Sequence, residues 1–540
     1  MIDFDAFPDH TDLTAKLEAL AESTVIDLES IGESREGREI WCATAAGPGG
    51  SGGPEDWPAL LVTANVHARE FAGSWTALHL LDYLARGYGT DEKLTDLLDR
   101  RTVYVIPRVS PDGADFVLET RTRKCRSRFV DVDPGAVREP NVVVPRDLTD
   151  DGNILTMRWP AEDGEYVVPD DEPRQTLPRE QTETNGTFYH RTVEGVVANH
   201  SGGPASEIDA RSDFNRNFPT SEWEPHDWLG HGPYPLSEPE TRALAEFVLD
   251  RPNVVAAVDL HTGNPAIFSP EATKEDPSHP GDAELIRQLG SRAEEITGFP
   301  LLAGYWEASG GDPVALGGSL KDWLYERLGI PAYIVEHGML YNSLGIDTED
   351  LAMDDREHAR ATDEALLAYH DEEPGRGVFY EWTTVEHPQL GEVEVGGWDW
   401  VRHANPPVEE LPEIAERVTE WLLELAAWAP DVGIEATSEP LEGGFYRISA
   451  TLRNRGRLPT NLTDRGREST RDARPLLTLS GADGENVDVV SGQERQLLDH
   501  LDARGGSERR EWVVRHSEAA EVAVEGPRGV VAETQIRLDE

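Results

Sequence analysis

The sequence predicts an α/β fold, with a mixed, mostly parallel sheet flanked by helices, followed by an all-β sandwich at the carboxyl end. Three observations predict it. Short apolar runs alternate with amphipathic helical stretches over the first two thirds of the chain. After Pro430 the helical period stops, and short alternating segments separated by Gly, Asn and Asp take over. The chain also has 540 residues, where one domain usually needs about 100–200. The division drawn is 1–428, with an insertion at about 129–208, and 429–540.

Leu13, Leu17 and Leu20 recur at helical spacing and make the opening segment a helix. The runs 39–44, 59–64, 102–106, 254–260 and 332–335 read as buried strands. The stretches 72–84, 239–249, 282–296, 319–328 and 357–369 read as helices. Residues 129–208 break the rhythm, being rich in Pro, Asp, Gly and Thr with only short apolar runs. Within them 147–153 resembles a calcium loop but lacks the distal Glu, so an acidic turn is the reading. A last helix, 409–428, precedes the strand-like segments 446–452, 476–479, 511–515 and 521–524.

The chain carries 103 acidic against 49 basic residues, a formal net charge of -54. Five of the basic residues are lysines: Lys16, Lys93, Lys124, Lys274 and Lys321. Such a surface repels nucleic acid phosphates and anionic lipid, which excludes both as partners. At about 1 M salt the Debye length falls to roughly 3 Å and the self-repulsion largely disappears. An acidic, lysine-poor but periodic sequence therefore predicts a halophilic protein in a saline cytoplasm. The first 34 residues hold one basic residue, Lys16, and no apolar signal core. No run reaches the 18 or so apolar residues of a membrane span. Cys42 and Cys125 allow one bridge at most and do not make a disulfide scaffold.

The chemistry gathers at the ends of the predicted strands, where open α/β sheets carry their sites. The run 60–64 leads into Asn65-Val-His-Ala-Arg-Glu70, and a second ends in Asp259-Leu-His-Thr-Gly263. His67, Glu70 and His261 make a His-Glu-His set, the ligand count of a catalytic zinc with one position left open. A third strand ends in Glu336, whose carboxylate, if buried, needs solvent or a positive partner. Glu336 is the candidate general base. The segment Asp213-Phe-Asn-Arg-Asn-Phe218 groups amides with a guanidinium, a combination suited to a carboxylate.

Together these residues resemble the zinc carboxypeptidases of the carboxypeptidase A type. The matching pieces are the segments at 67–71, 213–218, 232–241, 259–263 and 317–325 and the strand ending in Glu336, all in the family's order. The likeness covers residues 1 to about 375, without the insertion. It implies one zinc per chain held by His67, Glu70 and His261, with Asp213 orienting the first histidine. Glu336 matches the catalytic glutamate. Arg123 matches the arginine that stabilises the tetrahedral intermediate, with Arg121 and Arg126 as alternative registers. Asn215 and Arg216 match the pair that holds the substrate's terminal carboxylate, and Arg69 matches a position lining the cleft. The family's mobile tyrosine has no direct counterpart. Its position falls on Pro313 or Val314; Tyr305 takes the role only with an insertion after it, and Tyr341 is a poorer substitute. The residue shaping the side-chain pocket is Leu320 or Lys321, depending on register.

The resemblance implies a zinc exopeptidase acting on peptides with a free carboxyl terminus. Two other readings stand beside it. One is an N-acyl amino acid deacylase of the aspartoacylase type, which shares the His-Glu-His set. The other is a protein of this fold that binds zinc or peptide without cleaving it. Oligomeric state is not legible in the sequence.

Overall fold

The structure, a computed structural model, describes residues 6–48, 53–208, 212–221, 223, 230–270, 279–304, 317–346, 356–372, 377–469, 474–481, 487–515 and 519–538. Its centre is an eight-stranded sheet built from β1 (Ile26–Glu33), β2 (Glu39–Ala45), β3 (Ala59–Ala64), β4 (Thr102–Ile106), β12 (Val254–His261), β13 (Ala266–Ser269), β14 (Leu301–Ala303) and β15 (Ala332–Glu336). The strand order is β1-β2-β4-β3-β12-β15-β13-β14. The central four, β4-β3-β12-β15, run parallel. Every residue of β3 and of β12 is buried, as expected of strands covered on both faces. The edge strand β1 went unread in the sequence because its residues are mostly half-exposed and polar.

The helices before residue 428 are α1 (His10–Leu20), α2 (Phe71–Gly87), α3 (Glu92–Leu98), α4 (Pro111–Thr120), α5 (Pro239–Asp250), α6 (Pro280–Thr297), α7 (Leu320–Leu328), α8 (Leu340–Ser343), α9 (Arg356–Glu372), α10 (Trp400–His403) and α11 (Leu411–Ala427), of which α1, α2, α5, α6, α7 and α11 pack on the sheet. Leu13, Leu17 and Leu20 of α1 all enter the main apolar core, bearing out the opening helix. Helix α2 lies tight on β12. A Cβ at Gly73 would stand 2.5 Å from the carbonyl oxygen of Leu260, so only glycine permits this approach.

Residues 129–208 are far more ordered than their composition suggests. They supply β5 (Val142–Pro145), β6 (Thr156–Pro160), β7 (Tyr166–Val167), β8 (Leu177–Pro178), β9 (Phe188–Val193), β10 (Gly195–Ala198) and β11 (Ser206–Glu207). Four of these join β16 (Phe379–His387) and β17 (Gly391–Trp398) in a six-stranded sheet ordered β16-β17-β6-β9-β7-β8. The pairing of β17 with β6 links residues more than two hundred positions apart, beyond the reach of local periodicity. The turn at 147–153 is closed by its own side chains, Asp147 accepting from the Thr149 and Gly152 amides.

Beyond α11 lie two four-stranded antiparallel sheets. One contains β18 (Val432–Leu441), β19 (Phe445–Asn454), β21 (Val489–Ser491) and β23 (Ser507–Arg515). The other contains β20 (Leu476–Gly481), β22 (Arg495–Leu497), β24 (Ala519–Gly526) and β25 (Val530–Arg537). Ile448, Leu452 and Trp512 of the first sheet share an apolar cluster with Leu477, Val522 and Val524 of the second, the packing of a sandwich. Buried Arg528 donates to the carbonyl of Leu328, and Asp282 accepts the Asp464 and Arg465 amides, tying this region to α7 and α6.

Candidate metal centre

The carboxyl ends of β3, β12 and β15 meet at one point. After β3 the chain turns through Asn65, whose φ of 53° is left-handed, a conformation Asn adopts more readily than most residues. The Asn65 amide donates to the carbonyls of His67, at 2.7 Å, and Glu70, at 3.3 Å, which folds 67–70 into a tight loop before α2. His67 and Glu70 thereby face the end of β12. There His261 stands two residues beyond Asp259, on the same side of the strand.

His67, Glu70 and His261 are all buried and form the one group of possible metal ligands among the described residues. His67 Nδ1 lies 2.8 Å from Glu70 Oε1, His261 Nδ1 lies 2.9 Å from Glu70 Oε2, and the two Nδ1 atoms are 3.1 Å apart. A tetrahedral zinc with bonds of about 2.0–2.1 Å separates its donors by roughly 3.3 Å. The set therefore fits that ion after opening by a few tenths of an ångström. Both outer nitrogens are committed elsewhere. His67 Nε2 is 3.2 Å from Asp213 Oδ1, and His261 Nε2 is 2.7 Å from Asp259 Oδ2. A carboxylate on Nε2 keeps the proton there and turns the Nδ1 lone pair inward, which is the preparation a metal-binding histidine needs.

Burial opposes ionisation of Glu70, but the flanking His67 and His261 hold its carboxyl well below the ordinary range. Asp213 is likewise held down, against burial, by His67 and Arg126. Two nitrogen donors within a buried, carboxylate-rich pocket suit a borderline-soft dication.

Glu336 ends β15 and pairs in register with His261 across the sheet. Its Oε2 is buried without a hydrogen-bond partner among the described residues. Burial pushes its carboxyl up to about 7. Gly263 leaves the space it occupies, since a Cβ there would come within 2.8 Å of Oε2.

The arginines of 121–126 separate. Arg126 donates to Glu70 at 3.0 Å and to Asp213 at 3.3 Å. Arg123 pairs with Glu207 of β11, and Arg121, the left-handed cap of α4, points to Asp399 at 4.0 Å. Arg69 is partly buried, and burial together with Arg126 draws its guanidinium down to about 10. Asn215 and Arg216 lie beside this centre in a short turn capped by Asp213, which accepts the Asn215 amide at 2.9 Å. Asn215 Oδ1 accepts the amide of Leu320 at 2.9 Å, and its Nδ2 is buried and unpartnered among the described residues. Leu320 belongs to the apolar core, while Lys321 is fully buried against Asp322, 2.8 Å away. Tyr305, Pro313 and Val314 lie outside the described residues.

Sequence reasoning missed Asp259 and Asn65. Asp259 was legible: an acid two residues before a ligand histidine on a fully buried strand has few other uses. The role of Asn65 depends on a backbone turn that no spacing rule reveals.

Residues 13–136 and 197–343 match the family described as zinc carboxypeptidase, and residues 434–537 match a domain of unknown function. A zinc carboxypeptidase from Saccharothrix mutabilis subsp. capreolus is 31% identical over 120 residues, 20% of this chain and 26% of the relative. Rat (Rattus norvegicus) carboxypeptidase A2 is 23% identical over 291 residues, 51% of this chain and 49% of the relative. The chain thus spans between a quarter and a half of these curated relatives. The crystal structure of carboxypeptidase A from Helicoverpa armigera aligns with a TM-score of 0.42 at 16% identity, covering 69% of this chain and 74% of that one.

Proposed function

The chain belongs to the zinc carboxypeptidase family, and on that premise we propose that it is a metal-dependent exopeptidase removing residues from the carboxyl end of peptides. The observation that carries the proposal is the buried His67–Glu70–His261 set, with each histidine backed by a carboxylate and Glu336 beside it. Zinc held by these three residues would supply Lewis acidity, polarising the scissile carbonyl and acidifying a water ligand. Glu336, with an unpartnered Oε2, accepts a proton from the attacking water and returns it to the leaving amine. We assign the oxyanion to Arg126, the alternative register, which donates to Glu70 and Asp213 at the centre, while Arg123 is held by Glu207. The open Nδ2 of Asn215 and the Arg216 guanidinium receive the terminal carboxylate, which restricts cleavage to the last residue. Arg69 lines the approach. Residues 1–428 carry this chemistry in our reading, and 429–540 form an accessory unit. The charge of -54 we read as adaptation to a saline solvent.

The test is mass spectrometry of a mixed peptide set after incubation with the protein and zinc in multimolar salt. Stepwise loss from the carboxyl end, abolished by amidating that end, is the expected result. Intact peptides in a zinc-loaded sample would overturn the proposal. Hydrolysis of N-acetylaspartate in the same sample would move the assignment to a deacylase.

A further inference from the structure

A cavity of about 440 Å³ is walled largely by segments outside the family match. Arg174 and Arg191 come from the insertion, Asp363 from α9, and Trp382, Trp398 and Trp400 from the stretch that follows. It approaches the segment of Glu70 at Arg123, three residues before Arg126, and at His403, two residues before Asn405. The link is firm on the His403 side. Asn405 Nδ2 donates to the Arg69 carbonyl at 2.7 Å, and the Tyr341 ring stands edge-on to His403 at 4.4 Å.

The charges of the wall are answered within the protein. Arg123 pairs with Glu207, and Arg174 is gripped by Glu172 and Asp371 at 2.8 Å each. Arg191 lies over the Tyr166 ring at 4.2 Å and donates to the Thr176 carbonyl, and Asp363 accepts from Trp398 and faces Arg191. Beside these paired charges the cavity offers an occupant aromatic surface and, among the described residues, a buried donor without a partner. Trp400 Nε1 is buried with no hydrogen-bond partner among the described residues. Rings prefer rings at offset or edge-on geometry, and a buried N–H without an acceptor is costly. An exopeptidase holds one residue beyond the scissile bond, so any further pocket reached from its metal centre receives residues upstream.

We propose that this cavity is a second substrate pocket that takes an aromatic side chain lying N-terminal to the scissile bond, with a peptide carbonyl accepting from Trp400 Nε1. The inference rests on the exopeptidase reading above. The volume is of the size that holds a small-molecule ligand, about 300–1,000 Å³, ample for one large aromatic residue and its backbone.

The experiment walks a single phenylalanine through successive upstream positions of an otherwise Gly/Ala peptide with a constant carboxyl-terminal residue, using the full-length, zinc-loaded protein. The expected result is one position at which kcat/KM exceeds that of the all-Gly/Ala peptide by tenfold or more. Ala359→Phe, which fills the cavity from α9, should bring that ratio close to one. Trp400→Phe, which keeps the ring and removes the N–H, should lower it about fivefold, the worth of one hydrogen bond. If Ala359→Phe does not fold, the Trp400→Phe ratio decides. A flat walk in a protein that cleaves every peptide overturns the pocket alone, as does a preference unchanged in both variants. Failure to cleave any peptide overturns the exopeptidase reading and the pocket with it.

Discussion

Asp259 and Glu336 act in opposite ways on the same few ångströms. Asp259 fixes His261 from behind, 2.7 Å from Nε2, and is itself fixed by the Thr63 hydroxyl at 2.7 Å. Replacing it by Asn keeps the shape but removes the charge that makes His261 a strong donor. Asp259→Asn is expected to weaken zinc binding 10–100-fold, measured by competition with a chromogenic chelator. Among the described residues Glu336 makes no hydrogen bond to His67 or His261, and the role proposed for it is to carry a proton. Glu336→Gln should therefore retain one zinc per chain by elemental analysis while losing turnover by at least 10²-fold. Full turnover in that variant would remove Glu336 from the mechanism, and loss of zinc would make it structural.

At the scale of elements, the proposed substrate end of the site depends on how closely the turn after Asp213 approaches the start of α7. Gly318 has φ of 95°, and a Cβ there would stand 2.2 Å from the backbone oxygen of Arg216. Gly318→Ala must push Arg216 and Asn215 aside. It is expected to cost on the order of 1–3 kcal/mol in stability and to raise KM more than it lowers kcat. An equal fall in kcat and unchanged KM would separate this contact from substrate binding. The insertion carries a pH signature of its own. Glu194 accepts the amides of Leu148 and Leu155, yet burial, with Asp147 and Asp151 nearby, pushes its carboxyl up to about 7. The folded state then holds a proton that the unfolded chain releases near its ordinary value, so stability falls as pH rises between about 4.5 and 7. In Glu194→Gln that slope should be shallower by up to about 1.4 kcal/mol per pH unit. Parallel denaturation curves at pH 5, 6 and 7 would reveal it, and identical slopes would count against the buried proton.

For the molecule as a whole, the net charge of -54 is spread over a surface that also carries close ion pairs, such as Arg292 with Glu424 and Arg360 with Glu364. Exposed pairs of this kind contribute little individually and are screened by salt. The long-range repulsion is screened as well, and it is the larger quantity here. Raising KCl from 0.1 M to 2 M is therefore expected to increase the thermal midpoint, by several degrees or more, because the Debye length drops from about 10 Å to below 3 Å. A midpoint that falls with salt would show that the ion pairs outweigh the net repulsion and would refute the halophilic reading. Arg528 and Asp282, which bind the carboxyl-terminal sheets to α7 and α6 from buried positions, should make both regions unfold together in that experiment.

The sequence by itself determined five inner strands of the central sheet, β2, β3, β4, β12 and β15, and the candidate ligands at their ends. Fully buried strands such as β3 and β12 are written as unbroken apolar runs, and a His or Glu at the end of such a run is conspicuous because its burial is costly without a partner. It also determined the opening helix, since Leu13, Leu17 and Leu20 repeat at the helical period whatever surrounds them. Only the tertiary structure decided the rest. That Arg126 reaches Glu70 while Arg123 is taken by Glu207 depends on where β11 docks. That 156–160 joins a sheet depends on partners near residue 394, because short half-polar strands are stabilised by cross-strand neighbours rather than by their own pattern. The aromatic cavity exists only where those two distant stretches meet, and sequence spacing carries no record of such a meeting.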